Sequence, residues 1–343
     1  MQEVVINLKE IKKILFVRLR LIGDVLMTTP SLRILKNNLP EAKIYYLVEP
    51  PQDELLRGNP DIDELIILRR NASFKEILSL VRKMRKEKFD IAIDFHGGPR
   101  ASLLTLLSGA KFRVGYNYSP RKIFYHIKVE RGVKEGYIHS VLNQFNLLRG
   151  LGIESNDLPP LFMPELENFE REKFEQIFKK SGLEEKKFIV MHVSAGNQYR
   201  EWGVENWKKL IEIIFGKRTD IKVALIGSEK DLLYEENLKF PNTVSFIGKL
   251  NLGEVRELIK RSLLFIGPDS GPMHIASTTK TPIIAIFGPT TPSVFGPWKK
   301  DSIIIEGSTD CRPCNQKGCD YNFRCIREIK PETVFKEMER ILK

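Results

Sequence analysis

The sequence predicts an α/β fold made of two parallel-sheet domains in tandem. Three observations carry that expectation. Short β-branched and aliphatic runs alternate with longer amphipathic stretches along nearly the whole chain, the pattern of βαβ units whose sheet is covered on both faces. The alternation loosens once, over Leu151-Gly152-Ile153 and Leu158-Pro159-Pro160, and then resumes. The length, 343 residues, suits two domains of ordinary size. The expected division is residues 1–160, residues 161–330, and a C-terminal helix over 331–343 able to pack back on the first domain.

Each element follows from its own residues. Ile14-Leu15-Phe16-Val17 has the unbroken apolar character of a buried strand, and Asp24 to Lys36 reads as a helix turning Val25, Leu26, Leu32 and Leu35 inward. Ile44 to Val48 and Leu65 to Leu68 are the next strands. Phe74 to Lys88 is an amphipathic helix with Ile77, Leu78, Val81 and Met84 on one stripe and a basic face opposite. Asp90 to Phe95 is a strand, and a helix runs from Arg100 to Leu107. Past the linker, Phe188 to Val193, Lys222 to Ile226, Val244 to Ile247, Leu263 to Ile266 and Pro282 to Phe287 read as strands. Val204 to Phe215, Leu252 to Arg261 and Met273 to Thr279 read as helices between them. Pro331 to Leu342 closes the chain as a helix, with Pro331 in its first turn.

Composition removes several classes. An apolar fraction of 42% with 29% charged residues excludes a chain disordered throughout. No apolar run reaches the ~18–20 residues of a membrane-spanning helix. Met1 to Lys13 mixes Glu3, Lys9, Glu10, Lys12 and Lys13 with short apolar pairs and lacks the apolar centre of a secretory signal. The expectation is a cytoplasmic protein able to sit on a membrane surface without crossing it. A net charge of +11 favours anionic partners: phosphate-bearing substrates, acidic membrane surfaces or nucleic acid. No helix-turn-helix or RNA-binding sheet pattern is present, so nucleic acid is not expected. The charge is uneven: residues 98–149 hold nine Lys and Arg against Glu130 and Glu135.

Parallel α/β sheets of the Rossmann type bind ligands at the carboxyl ends of their strands, so chemistry is sought in the loops there. Arg18-Leu19-Arg20-Leu21-Ile22-Gly23-Asp24 follows the first strand and has one glycine, which speaks against the usual dinucleotide fingerprint. Asp24 opens the following helix, where a carboxylate serves as an N-cap or as a general base. Gly267-Pro268-Asp269-Ser270-Gly271-Pro272-Met273-His274 leaves a strand and enters a helix, an arrangement suited to a phosphate or diphosphate. Asp269 would repel phosphate and suits a sugar hydroxyl better. His192-Val193-Ser194-Ala195-Gly196 and the Arg200-Glu201-Trp202 that follows offer a hydroxyl and a fixed positive charge. Glu229, after Ile226-Gly227-Ser228, suits ribose hydroxyls. Arg100 ends Asp94-Phe95-His96-Gly97-Gly98-Pro99-Arg100 and opens the basic segment. Cys311, Cys314, Cys319 and Cys325 lie close enough in sequence to hold a structural zinc, to form reducible pairs or to stay free, and the spacing leaves all three open.

Together these loops resemble glycosyltransferase family 9, the ADP-heptose–lipopolysaccharide heptosyltransferases. The resemblance rests on Asp269-Ser270-Gly271-x-x-His274 followed by Ile286-Phe287-Gly288-Pro289-Thr290, and on Ile22-Gly23-Asp24 followed by Thr29-Pro30-Ser31-Leu32. It implies a GT-B architecture, two Rossmann-like α/β/α domains facing a central cleft, with acceptor on the first and nucleotide sugar on the second. It implies an inverting transferase that moves heptose from ADP-L-glycero-D-manno-heptose to the inner core of lipopolysaccharide. Asp24 matches the family's base. Ser194, Ser270, Gly271 and His274 match positions at the donor phosphates, and Arg200 stands where the family usually has a lysine before a tryptophan. Asp269 and Glu229 match contacts to ribose or sugar. No cofactor is required on this reading, because protein cations and amides stabilise the leaving diphosphate without a divalent ion. The implied acceptor is Kdo-lipid A or a heptosylated inner core, its anionic groups met by Arg100, Arg121 and Lys122 at the inner-membrane surface. Two other readings stay open: a GT-B transferase using another nucleotide sugar, and a non-catalytic protein binding sugar nucleotides or polyanions.

Overall fold

The computed structural model describes residues 6–132 and 138–343. Glu3 of the N-terminal stretch and Lys134 and Glu135 of the basic segment lie outside them. The chain divides into two compact units between Pro164 and Glu165.

The first unit holds β1 (Lys13–Val17), β2 (Lys43–Val48), β3 (Glu64–Ile67), β4 (Ile91–Asp94), β5 (Phe112–Tyr116) and β6 (Ile127–Val129). They form one parallel sheet in the order β3-β2-β1-β4-β5-β6. β1 lies at the centre, its Val17 level with Leu47 on one side and Asp94 on the other. Its run of Ile14, Leu15, Phe16 and Val17 is wholly buried, as a strand with helices on both faces must be. Chain order reverses between β1 and β4, and at such a switch point the loops diverge and leave a crevice at the strands' carboxyl ends.

The second unit repeats the plan. Its strands are β7 (Phe188–His192), β8 (Lys222–Ile226), β9 (Thr243–Ser245), β10 (Leu264–Pro268), β11 (Ile283–Phe287) and β12 (Ile303–Glu306), ordered β12-β11-β10-β7-β8-β9, all parallel. Counted from its own first strand, this is the same winding as the first sheet, with its switch point between β7 and β10. Each unit has its own apolar core: Leu15, Val17, Leu47, Met84 and Phe89 belong to the first, and Met191, Trp202, Trp207, Ile266 and Met338 to the second.

The fold departs from the expectations at several elements. The helix expected from Asp24 to Lys36 is two helices, Ile22–Leu26 and Thr29–Asn38. Pro30 has no N–H for the Leu26 carbonyl, and the Thr29 hydroxyl donates to that carbonyl instead, at 2.7 Å. The Thr28 hydroxyl does the same for Val25 at 2.7 Å. The helix expected over Met273–Thr279 runs from Gly271 to Ala276. β5, β6 and β12, with the helices Ser140–Arg149 and Asn168–Lys180, are absent from the expectations. The C-terminal helix Pro331–Ile341 packs on the second unit: Val334, Phe335 and Met338 enter its core, and Lys209 and Arg218 pair with Glu332 and Glu339.

Candidate functional site

In the first unit the switch point brings together the loops after β1 and β4. Asp24 is the third residue of the short helix Ile22–Leu26, whose cap is Leu21, so it is not the N-cap. Its Oδ2 accepts the Leu21 N–H at 3.2 Å and pairs with Arg18 Nη2 at 2.5 Å. Arg18 also donates to the Phe95 carbonyl, which joins the two loops. The Asp24 side chain is 30% exposed, so solvent or a substrate hydroxyl reaches it.

The loop after β4 is shaped by Asp94, which is fully buried. Its Oδ1 accepts the N–H groups of His96 at 2.9 Å and Gly97 at 2.8 Å; its Oδ2 accepts hydroxyls from Ser102 at 2.9 Å and Tyr125 at 2.6 Å. Burial raises the pKa of this carboxyl, and the four donors oppose that rise. The turn they set leaves His96 lying against Gly98, where a Cβ would sit 2.7 Å from the imidazole. Burial, with the nearby charges of Arg18 and Arg20, holds His96 down to about 4, against the pull of Asp24. The ring is therefore neutral at pH 7. Its Nδ1 is buried and has no hydrogen-bond partner among the described residues.

His96 lines a pocket of about 230 Å³ with Arg20, Glu49, Arg70 and Arg100. Arg100 is already engaged there: Nη1 pairs with buried Glu49 at 2.7 Å, and the guanidinium donates to the carbonyls of Arg69 and Arg70, each at 2.8 Å. Arg121 donates to the Gly97 carbonyl at 3.2 Å from the turn Pro120–Phe124, and Lys122 beside it is exposed. Arg100 thus ties the segments after β2 and β3, Arg121 reaches the loop after β4, and Lys122 points its charge into solvent.

In the second unit the corresponding loops follow β7 and β10. His192 ends β7 and stands between Ser270 Oγ, 3.0 Å from Nδ1, and Ser194 Oγ, 3.4 Å from Nε2. Burial holds this imidazole down to about 4, so it too is neutral at pH 7. A neutral imidazole has one donor and one acceptor nitrogen. One serine therefore gives its proton to the ring, and the other keeps its own for a further acceptor. Ser270 caps the helix Gly271–Ala276 with backbone alone, and His274 within that helix is buried.

Arg200 ends the short turn Gln198–Arg200. Its Nη1 meets Asp269 Oδ2 at 3.2 Å, and Thr290 Oγ1 donates to the same oxygen at 2.7 Å. Asp269, expected at a sugar hydroxyl, is 3% exposed and serves as the counter-ion of Arg200. Glu229 is exposed at the end of β8, with its stem against Gly248.

The four cysteines are free thiols. Burial pushes the Cys325 thiol up, and Cys311, Cys319 and Cys314 push it the same way. Cys314 Sγ accepts an N–H from Gln316 at 3.3 Å, and Cys319 Sγ accepts one from Phe323 at 3.2 Å. Among the described residues no group of three or more His, Cys, Asp or Glu is arranged to hold a metal ion. A structural zinc, one of the three roles the spacing leaves open, therefore has no support in the geometry of the described residues.

Sequence reasoning passes over His96, His192, Arg18 and Gln316. The signal for the two histidines is a titratable residue at or just beyond the end of an apolar strand, where a side chain is buried yet faces the crevice. For Arg18 and Gln316 no local pattern marks the role, because it depends on partners far along the chain.

Comparison with known proteins extends this picture. The model of glycosyltransferase family 9 (heptosyltransferase) matches residues 77–323. Lipopolysaccharide heptosyltransferase 3 of Escherichia coli K12 is 25% identical over 337 residues, covering 93% of this chain and 95% of its own. The crystal structure of a family 9 glycosyl transferase from Veillonella parvula superposes with a TM-score of 0.86 at 24% identity, covering 96% of this chain and 97% of that one. The E. coli heptosyltransferase WaaC with ADP superposes with a TM-score of 0.71 at 18% identity, covering 96% and 99%.

Proposed function

The chain belongs to glycosyltransferase family 9 and is a glycosyltransferase, and on that premise we propose that it transfers heptose from ADP-L-glycero-D-manno-heptose to the inner core of lipopolysaccharide with inversion. The observation that carries the proposal is the division of chemistry between the two switch points. The first offers an accessible carboxylate beside an arginine-lined pocket; the second offers two serine hydroxyls, a neutral histidine and a fixed guanidinium.

The first set suits an acceptor sugar. A sugar hydroxyl is a poor nucleophile, and Asp24 takes its proton as the oxygen attacks the anomeric carbon. The C–O bond to the β-phosphate breaks, and its electron pair leaves on ADP. Arg20, Arg70 and Arg121, with Lys122, suit the carboxylate and phosphate groups of a Kdo-lipid A or heptosylated acceptor. Arg100 contributes its charge while Glu49 holds it in place.

The second set suits the leaving diphosphate. Ser194, Ser270, the Gly271 amide and His274 lie about the start of the helix Gly271–Ala276, and Arg200 supplies the permanent positive charge. Asp269 keeps Arg200 oriented and, with Glu229, is the carboxylate nearest in character to a ribose contact. The same basic surface suits anionic lipid headgroups, so we place the enzyme on the cytoplasmic face of the inner membrane during turnover.

The test is to incubate purified protein with ADP-heptose and a deacylated, Kdo-containing acceptor, and to follow released ADP and product mass. The expected product is acceptor plus one heptose. Asp24→Asn lowers kcat by roughly 10²–10⁴ while ADP affinity persists. Turnover of a different nucleotide sugar instead assigns another donor. Donor binding without turnover in the unmodified protein makes it a binding protein.

A further inference from the structure

We infer that Gln316, carried on the cysteine-bearing segment, is the positioning residue that aims Arg200 at the donor diphosphate. The inference rests on the reading above that Arg200 meets that diphosphate.

A free arginine side chain has several rotatable bonds and loses much entropy when it is held. Arg200 is held at two nitrogens. Nη1 pairs with Asp269, and Nε donates to Gln316 Oε1 at 3.0 Å. Neither bond engages Nη2. The side chain keeps 31% exposure, so the held guanidinium still reaches solvent. The same Gln316 oxygen accepts from Asn197 Nδ2 at 2.8 Å, and Asn197 Oδ1 caps the turn that carries Arg200 by accepting the Tyr199 N–H at 3.0 Å. One amide oxygen thus fixes both the guanidinium and the turn beneath it.

Gln316 is itself fixed. Its backbone is left-handed, with φ at +57°, and its N–H donates to Cys314 Sγ. Cys314 donates its own N–H to the Pro289 carbonyl at 3.0 Å. Arg312 grips the Gly307 and Thr290 carbonyls and the Glu306 carboxylate. Thr290 then donates to Asp269, which holds Arg200. The contacts close a ring: Arg200, Gln316, Cys314, Pro289, Thr290, Asp269 and back to Arg200. Residues 307–323 have no helix or strand of their own. A run of that length with fixed contacts of this kind fits a site-forming loop.

The choice of an amide follows from charge. Asp269 already offsets part of the Arg200 charge, and a second carboxylate would cancel the attraction for phosphate. Glutamine supplies the acceptor oxygen without the charge. A residue needed only for packing or for a hydrogen bond to arginine would be replaced well by glutamate, which has the same shape and bonds guanidinium more strongly. Positioning by a neutral acceptor, which leaves the Arg200 charge available to phosphate, predicts the opposite.

The experiment compares Q316A, Q316E, R200A and the double variant R200A/Q316A as full-length protein. It measures ADP affinity by calorimetry, kcat, KM for donor and acceptor, and thermal unfolding. We expect Q316A and Q316E each to weaken ADP and raise donor KM by roughly tenfold, about the contribution of one charge-assisted hydrogen bond, with acceptor KM unmoved. R200A/Q316A binds ADP no more weakly than R200A, because the two residues act as one unit. Q316E keeps the fold by shape, so its ADP affinity reads the charge effect even where Q316A unfolds early. If R200A leaves ADP affinity unchanged, the reading of Arg200 fails. If R200A weakens ADP but Q316E matches the unmodified protein, or the double variant loses affinity additively, the role of Gln316 is overturned while that of Arg200 stands.

Discussion

His192 is a buried base kept neutral between two serines, and that has a consequence for stability. Its pKa falls from an ordinary 6.5 to about 4 in the folded chain, chiefly because burial disfavours the imidazolium. Between those values the unfolded chain binds the proton and the folded chain does not. Stability is therefore full above about pH 6.5 and is lost as pH falls toward 4, by on the order of 3 kcal/mol from this residue alone. His192→Asn keeps a donor and an acceptor but does not titrate, so urea unfolding followed from pH 7.5 to pH 4.5 should lose stability less steeply in the variant. Equal slopes in the two proteins would remove His192 as the cause. At this scale the sequence is a partial guide. Asp24, Ser194, Arg200 and Ser270 are legible because their side chains follow strands that periodicity locates. His96 and His192 are quoted in those same loops yet carry no mark of burial in the sequence, and burial is what makes them neutral. Gln316 is 116 residues from Arg200, beyond the reach of any local pattern.

Among elements, one guanidinium ties together segments that follow three strands of the first sheet. Arg100, from the helix Pro99–Leu107, joins Glu49 at the end of β2 to the carbonyls of Arg69 and Arg70 beyond β3. Glu49 is 3% exposed. Removing its partner leaves a buried carboxylate unpaired, so Arg100→Ala is expected to lower unfolding free energy by about 3 kcal/mol, with part recovered in the double variant E49Q/R100A. Urea denaturation checks both. A loss of acceptor affinity with unchanged stability would instead make Arg100 a ligand contact alone. The missed strands have a related physical reason. β5 reads Phe112-Arg-Val-Gly-Tyr, and Gly115 and Arg113 interrupt its apolar run. Gly115 is required there: a Cβ would sit 2.5 Å from the Tyr125 ring, and Tyr125 is one of the donors that fix buried Asp94. The demand of the site thus erases the strand pattern that would have revealed the element. The broken helix after β1 differs, since Pro30 itself marks a helix start and not an interior, and the apolar stripe running across it hides the break; the Thr29 hydroxyl donates to the Leu26 carbonyl that Pro30 leaves open.

For the whole molecule, two separate cores predict two unfolding events. Domains with their own cores do not satisfy a single two-state transition. All three tryptophans, Trp202, Trp207 and Trp298, belong to the second unit, and the first two are fully buried in its core. Tryptophan emission therefore follows the second unit alone, whereas far-ultraviolet dichroism follows both. ADP at about a hundred times its dissociation constant should raise the emission-detected transition by roughly 2.7 kcal/mol and leave the other in place. Coincident curves by both probes, moving together with ADP, would contradict independent units. The alternation of strand and helix made this doubling readable from sequence, because a parallel sheet needs a crossover after every strand. Both sheets are wound in one order, yet each keeps its own interior, and the residues assigned to the two substrates fall in different stretches of chain. Exchange of the first 164 residues with those of a relative would then alter what is glycosylated while leaving the sugar supply untouched, a modularity by which one lineage of such enzymes can diversify its products half a gene at a time.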